Sequence, residues 1–225
     1  PDRARGEWYR MSDREAVGDG SWYGGEPVWV TAERAGLVTA AFYFVGTEAD
    51  IQGVRPGDWR RFDKEVPGRA RVGQVLDWLQ RPTDRRPHLV TLYFEHVDDN
   101  SHWYGPGSPE SLRAIRQVDD WLGRLLDGIE TLPQSDDVYV LVVSDHGQGT
   151  YASRDALVLD QRVDLDGAAV VNGGAYAFVH LDGDRARAAA MRDSINRDWD
   201  CGRAYLPEDL PAAWNAGNSP RYPEL

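Results

Sequence analysis

A chain of 225 residues with 41% hydrophobic side chains carries enough apolar material to bury a real core, either one large α/β domain or about one and a half ordinary ones. Its 25 basic and 37 acidic side chains leave a net charge of −12, which repels polyanions and argues against a nucleic-acid coat or an anionic membrane surface as partner. No apolar run approaches the roughly 20 residues that a membrane helix needs, and the opening PDRARGEWYRM lacks the apolar stretch of a signal peptide. The single cysteine, Cys201, cannot form an internal disulfide, so the redox compartment stays open. A beginning that is Arg-rich and lacks Met suggests an excised or mature piece.

The segment Glu26–Gly36 predicts a short helix, with Pro27 at its start and Gly36 as its stop. The run Val38–Val45, VTAAFYFV, predicts a buried strand ended by Gly46. Over Arg69–Gln80, Val72, Val75, Leu76 and Leu79 fall on one helical face. His88–Glu95 predicts the next strand. A long helix follows from Pro109 to about Leu132, capped by Ser108 and striped by Leu112, Ile115, Val118, Leu122, Leu125, Leu126 and Ile129. Val138–Val143, VYVLVV, predicts a further strand, and Trp78 and Trp121 are expected in the core. Apolar strands alternating with helices predict an α/β layer with a mostly parallel sheet covered on both faces. Downstream, Ala168–Asn172 and Tyr176–Leu181 predict strands and Asp184–Asp198 a helix, while the tail from Cys201 is expected to be irregular. The organisation that follows is a sheet core over 1–150 and a smaller α+β and irregular segment over 151–225.

Two predicted strands end in metal-ligand residue types. After the first comes FEHVDDNSHWYGP, with Asp98 and His102 four residues apart; after the second comes SDHG, with Asp145 beside His146. Carboxylate oxygen and imidazole nitrogen are the usual ligands of a borderline cation such as zinc at a catalytic site. Ligands of α/β sheets gather at the carboxyl ends of the strands. Such a pair can also be a turn residue beside a hydrogen-bonded imidazole, but two pairs at two strand ends favour a site. Glu95, His96 and Asp99 are read as bystanders of the kind that face solvent or orient the ligands from behind, and His88 and His180 as structural.

These motifs carry a resemblance. YFEHVDDNSHWYGP, VSDHG, and GEPVWVTAERAG before FYFVGTEADIQGVRPGDW resemble the nucleotide pyrophosphatase/phosphodiesterase family of the alkaline phosphatase superfamily. The family pattern Tyr-Leu-Glu-x-Pro-Asp-x-x-Gly-His-x-Tyr-Gly-Pro is matched at Tyr93, Glu95, Asp98, His102, Tyr104, Gly105 and Pro106. It is departed from at Val97, at Ser101 and, after SDHG, at Gln148. The resemblance implies an alkaline-phosphatase-like fold and two zinc ions, one held by Asp98 and His102, the other by Asp145 and His146. Tyr93 falls where the family stacks a nucleobase, a position that is also compatible with plain packing. The implied chemistry is attack by a threonine on phosphorus, followed by hydrolysis of the phospho-enzyme.

The family's Thr-Phe-Pro-like nucleophile motif, a zinc-binding aspartate before it and a histidine in a His-Gly-x-Asp context have no counterpart in the 225 residues. The expectation is therefore the middle portion of a longer phosphodiester or pyrophosphate hydrolase, weakly active or inactive alone. Two alternatives stand beside it: a noncatalytic relative binding a nucleotide or a partner, and a phosphomonoester or sulfate-ester hydrolase of the same superfamily. The expected partner is a small nucleotide or other phosphodiester substrate, and the resemblance places the protein in the periplasm or outside the cell.

Overall fold

The computed structural model describes residues 2, 5–151, 158–199, 202–216, 219 and 221–225, so Cys201 lies outside the described residues. Contacts group the chain into two units, Tyr9–Thr150 and a second made of Pro1–Trp8 with Tyr151–Leu225.

In the first unit the helices are α1 (Arg14–Gly18), α2 (Val28–Arg34), α3 (Gly68–Leu79), α4 (His96–Tyr104) and α5 (Pro109–Glu130). The strands are β1 (Thr39–Phe42), β2 (Asp58–Arg60) and β3 (Leu89–Leu92), parallel and in the order β2-β1-β3. The central strand is buried throughout and is shorter than the apolar run that predicts it. It stops where Tyr43 turns into the left-handed region (φ 57°), and Gly46 follows with φ 88°. Both faces of the sheet are covered, as the apolar strands require. Ala40 and Phe42, with Val90 and Leu92, pack against Val72, Val75, Trp78 and Leu79 of α3 and Trp121, Leu125 and Ile129 of α5. Leu89 joins Trp29 and Val30 of α2, with Ala49 and Ile51, in a second cluster.

Helices α3 and α5 approach closely where each offers a glycine. A β-carbon on Gly68 would lie 2.3 Å from the Trp121 ring, and one on Gly128 would lie 2.5 Å from Leu76. Helix α5 starts as its sequence predicts, with the Ser108 hydroxyl accepting from the Ser111 amide at 3.1 Å and Pro109 in the first turn. Its inward stripe is Ala114, Trp121, Leu125 and Ile129. The broader predicted stripe is only partly buried: Leu112, Ile115 and Leu126 are exposed, and Leu122 is half-buried. Leu122→Ala is therefore expected to cost roughly 1–2 kcal/mol, below the range for a fully buried leucine, in a urea or thermal melt.

The strand predicted over Val138–Val143 does not form. Val138 enters it with extended backbone (φ −99°, ψ 119°) and touches the core, but Tyr139, Leu141, Val142 and Val143 are exposed. A strand exists through its ladder, and no described strand pairs with the outer edge of β3 or with this segment.

In the second unit, β4 (Ala169–Asn172) and β5 (Ala177–His180) form an antiparallel pair, and α6 (Arg185–Asp198) follows with Asp184 as its cap. Ala188, Met191 and Ile195 pack on Val163, Val179 and Leu181, together with Leu206 and Leu225. The tail adds short helical turns at Pro207–Asp209 and Ala212–Trp214 and then returns to β5, where Leu225 bonds Val179 in both directions. The Glu224 carboxylate accepts from the Leu181 and Gly183 amides at 2.8 and 2.9 Å. His180 is buried edge-on to Trp8, and His88 Nδ1 accepts from the Val38 amide, so both histidines are structural as expected. Among the described residues no helix is long and apolar enough to cross a membrane.

Candidate functional site

The site lies at the carboxyl end of β3, where Tyr93 continues the ladder by donating to the Phe42 carbonyl at 3.0 Å. The segment that follows is a helix rather than the loop its polarity suggests. Helix α4 carries Asp98 and Asp99 in its first turn and His102 in its last, the charge order that a helix dipole favours. A spacing of four puts Asp98 and His102 on one face, with His102 Nε2 3.4 Å from Asp98 Oδ1. Gly105, with φ 89°, ends the helix.

The SDHG segment comes back to the same aspartate. His146 Nε2 lies 3.8 Å from Asp98 Oδ1 and 3.6 Å from Asp145 Oδ2, and the Gln148 amide donates to Asp98 Oδ1 at 2.6 Å. The two motifs are thus neighbours, and Asp98 Oδ1 is where they meet. His146 Nδ1 lies 2.9 Å from the Gly147 carbonyl, which can only accept, so Nδ1 carries the proton. In the neutral ring Nε2 is then an acceptor facing two carboxylates, an arrangement that calls for a proton or another cation between them. Accordingly the His146 pKa is raised, first by the Gly147 hydrogen bond and then by Asp145, with Asp98 adding to it.

The cluster is open to solvent: side-chain exposure runs from 37% for Asp98 to 54% for His146, 72% for His102 and 81% for Asp145. The donors suit a borderline cation in kind, being carboxylate oxygens and imidazole nitrogens. They form a chain of pairs, however, and among the described residues no group of three His, Cys, Asp or Glu side chains is placed to hold a metal ion. Tyr93 is half-buried, with its ring 6.5 Å from Phe62. Its pKa is raised by burial and then by the carboxylates of Asp145 and Asp98, which puts the phenol within the field of both motifs.

Sequence reasoning treats Glu95 as a bystander, notes Gln148 only as a departure from the family pattern and passes over Arg71 and Lys64. The structure gives them contacts. Glu95 and Arg71 form a buried bidentate pair at 2.6 and 2.8 Å. Lys64 Nζ meets Asp99 at 2.5 Å. His96 packs edge-on to Trp121 with ring centroids 4.7 Å apart, and burial lowers its pKa. The departure from the family pattern was the only signal for Gln148.

The family model described as type I phosphodiesterase / nucleotide pyrophosphatase matches residues 1–225. This chain belongs to that family. The human ectonucleotide pyrophosphatase/phosphodiesterase family member 1 is 32% identical over 211 residues, which cover 91% of this chain and 23% of the human protein. The chain thus spans less than a quarter of that relative's length. Human ectonucleotide pyrophosphatase/phosphodiesterase 5 has a similar structure, with a TM-score of 0.82 at 23% identity over 99% of this chain and 59% of that one. The murine protein of the same name, solved as an inactive variant in complex with AMP, gives 0.73 at 22% identity over 88% of this chain and 52% of that one. These likenesses show the alkaline-phosphatase-like fold, in which the parallel sheet flanked by helices takes its place.

Proposed function

We propose that this chain carries part of a metal-dependent phosphodiester or pyrophosphate hydrolase site, with Asp98 and His102 holding one zinc ion and Asp145 and His146 a second. The observation that carries this reading is the convergence of both motifs on Asp98 Oδ1, with two imidazole nitrogens within 3.8 Å of it. Bound zinc would supply the positive charge that draws and polarises a phosphoryl oxygen on an otherwise acidic protein. The chain's own residues would orient that charge, and Tyr93, kept protonated by burial and the nearby carboxylates, would stand beside the substrate as a neutral wall. A nucleotide substrate is supported by the family description and by the relative solved with AMP. The relatives named as ectonucleotide enzymes support a setting outside the cell or in the periplasm. No serine or threonine is assigned as nucleophile, so the reading for these residues is capture of metal and phosphate rather than attack. Two donors per ion also favour a second reading, a relative that binds nucleotide without hydrolysing it.

The test is calorimetric titration of the 225-residue chain with zinc, alongside Asp98→Ala and Asp145→Ala. The expected result is saturable but weak binding of up to two ions, because affinity follows ligand number and preorganisation. Each substitution should weaken it by at least about tenfold. No saturable binding by the unaltered chain would overturn the metal reading. Zinc-independent binding of AMP would favour the second reading.

A further inference from the structure

We infer that Arg71 is the positioning residue of the site: from α3 it fixes the junction at which β3 passes into α4, and so the direction in which Asp98 and His102 face. Arg71 is fully buried, and its fork is almost completely engaged. Nε donates to the Val66 carbonyl at 3.0 Å, Nη1 to the Tyr93 carbonyl at 3.0 Å and to Glu95 Oε2 at 2.6 Å, and Nη2 to Glu95 Oε1 at 2.8 Å. One side chain thereby grips the first residue after β3 and the residue that precedes α4. The guanidinium also lies 4.8 Å from the centre of the Tyr43 ring and 6.0 Å from that of Phe94. Tyr43 is the buried residue that leaves β1 with φ 57°, a conformation a bulky side chain keeps only where its surroundings enforce it.

Glu95 shows what the grip is for. It occupies the N-cap of α4, yet its side chain makes no capping hydrogen bond. Its carboxylate is turned to Arg71, so the guanidinium rather than a cap holds the helix start. Each residue of a helix advances by about 100° around the axis. A slip of one residue at the junction would swing Asp98 by that angle and separate it from His146, on a segment whose Asp, Asn, Ser and His residues favour helix weakly. A lysine could reach one acceptor but could not span the Tyr93 carbonyl and both Glu95 oxygens at once.

The affinity half of the test rests on the zinc reading above; the exchange half does not. Amide hydrogen exchange of the zinc-free 225-residue chain would be compared among wild type, Arg71→Lys and Glu95→Gln, the last keeping side-chain shape so that the test stands if Arg71→Lys fails to fold. Exchange over residues 96–104 should rise about tenfold more than exchange over 118–129, and zinc affinity should fall about tenfold in parallel. Equal acceleration in α4 and α5, or none, would make Arg71 an ordinary core contact and overturn the inference. Failure of the wild type to bind zinc would end the metal reading, while the exchange pattern would still decide the role of Arg71.

Discussion

Arg71→Met lowers the stability of the Tyr9–Thr150 unit by about 3–5 kcal/mol at neutral pH, the cost of leaving one member of a buried ion pair without the other. Methionine fills much of the arginine stem's volume, so the loss is chiefly electrostatic: Glu95 is 6% exposed and would keep a charge with no partner. A companion substitution of Glu95 by leucine in the same chain should recover most of the loss, because a well-packed apolar pair can equal a buried ion pair. The pH dependence carries the same signature. Burial pushes the Glu95 carboxyl up, but hydrogen bonds from Arg71 and from its own backbone amide, with the attraction of Arg71, outweigh burial and hold it below the ordinary 4.5. A carboxyl whose pKa is depressed by folding stabilises the fold above its unfolded value and loses that contribution as pH falls through the depressed one. Without Arg71, burial prevails and the carboxyl takes up its proton above 4.5. The deficit of Arg71→Met should thus be greatest at pH 7 and shrink as pH falls, first above 4.5 as the unpaired Glu95 takes up its proton and then below 4.5 as the paired one does, as read by urea denaturation at several pH values. A deficit independent of pH would mean that packing, not charge, is what the arginine contributes.

The elements that could be read from sequence were those whose local signals agree with the fold. Helix α5 announces itself by Ser108, Pro109 and a long stripe, and α3 by its phase. That same phase places Arg71 with Val75 and Trp78 at i, i+4 and i+7, on the buried face; the signal for a buried cation was present but reads first as a polar position in an Arg-rich turn. Helix α4 is hard to read from sequence because its composition is that of a turn, and only the spacing of Asp98 and His102 hints at it. The opposite error falls on Val138–Val143, which has every local mark of a strand. Its sequence specifies a residue type suited to a ladder, whereas the ladder itself depends on a neighbour, and β-propensity carries no information about that neighbour. The meeting of Asp98 with His146 is likewise a tertiary fact. Residue types at two strand ends suggested it, and the family pattern sharpened it.

Trp121→Ala should cost about 3–5 kcal/mol, about two to three times the loss expected for its neighbour Leu122. The indole is 7% exposed and packs beside the junction. Its ring sits 5.4 Å from Phe94 and 4.7 Å from His96 between centroids, the two residues on either side of Glu95, and it leaves room on α3 for nothing larger than Gly68. Truncation would open a cavity bordered by the helix start itself, and neither Gly68 nor the buried edge of His96 can expand to fill it. The melting transitions of Trp121→Ala and Leu122→Ala, measured side by side, separate the inward stripe of α5 from its half-exposed flank. Equal losses would put Leu122 as deep as Trp121 and contradict the packing of α5 on α3. A loss confined to Trp121, accompanied by weaker zinc binding, would show that the β3–α4 junction is braced from two helices: by charge from α3 and by an aromatic plane from α5.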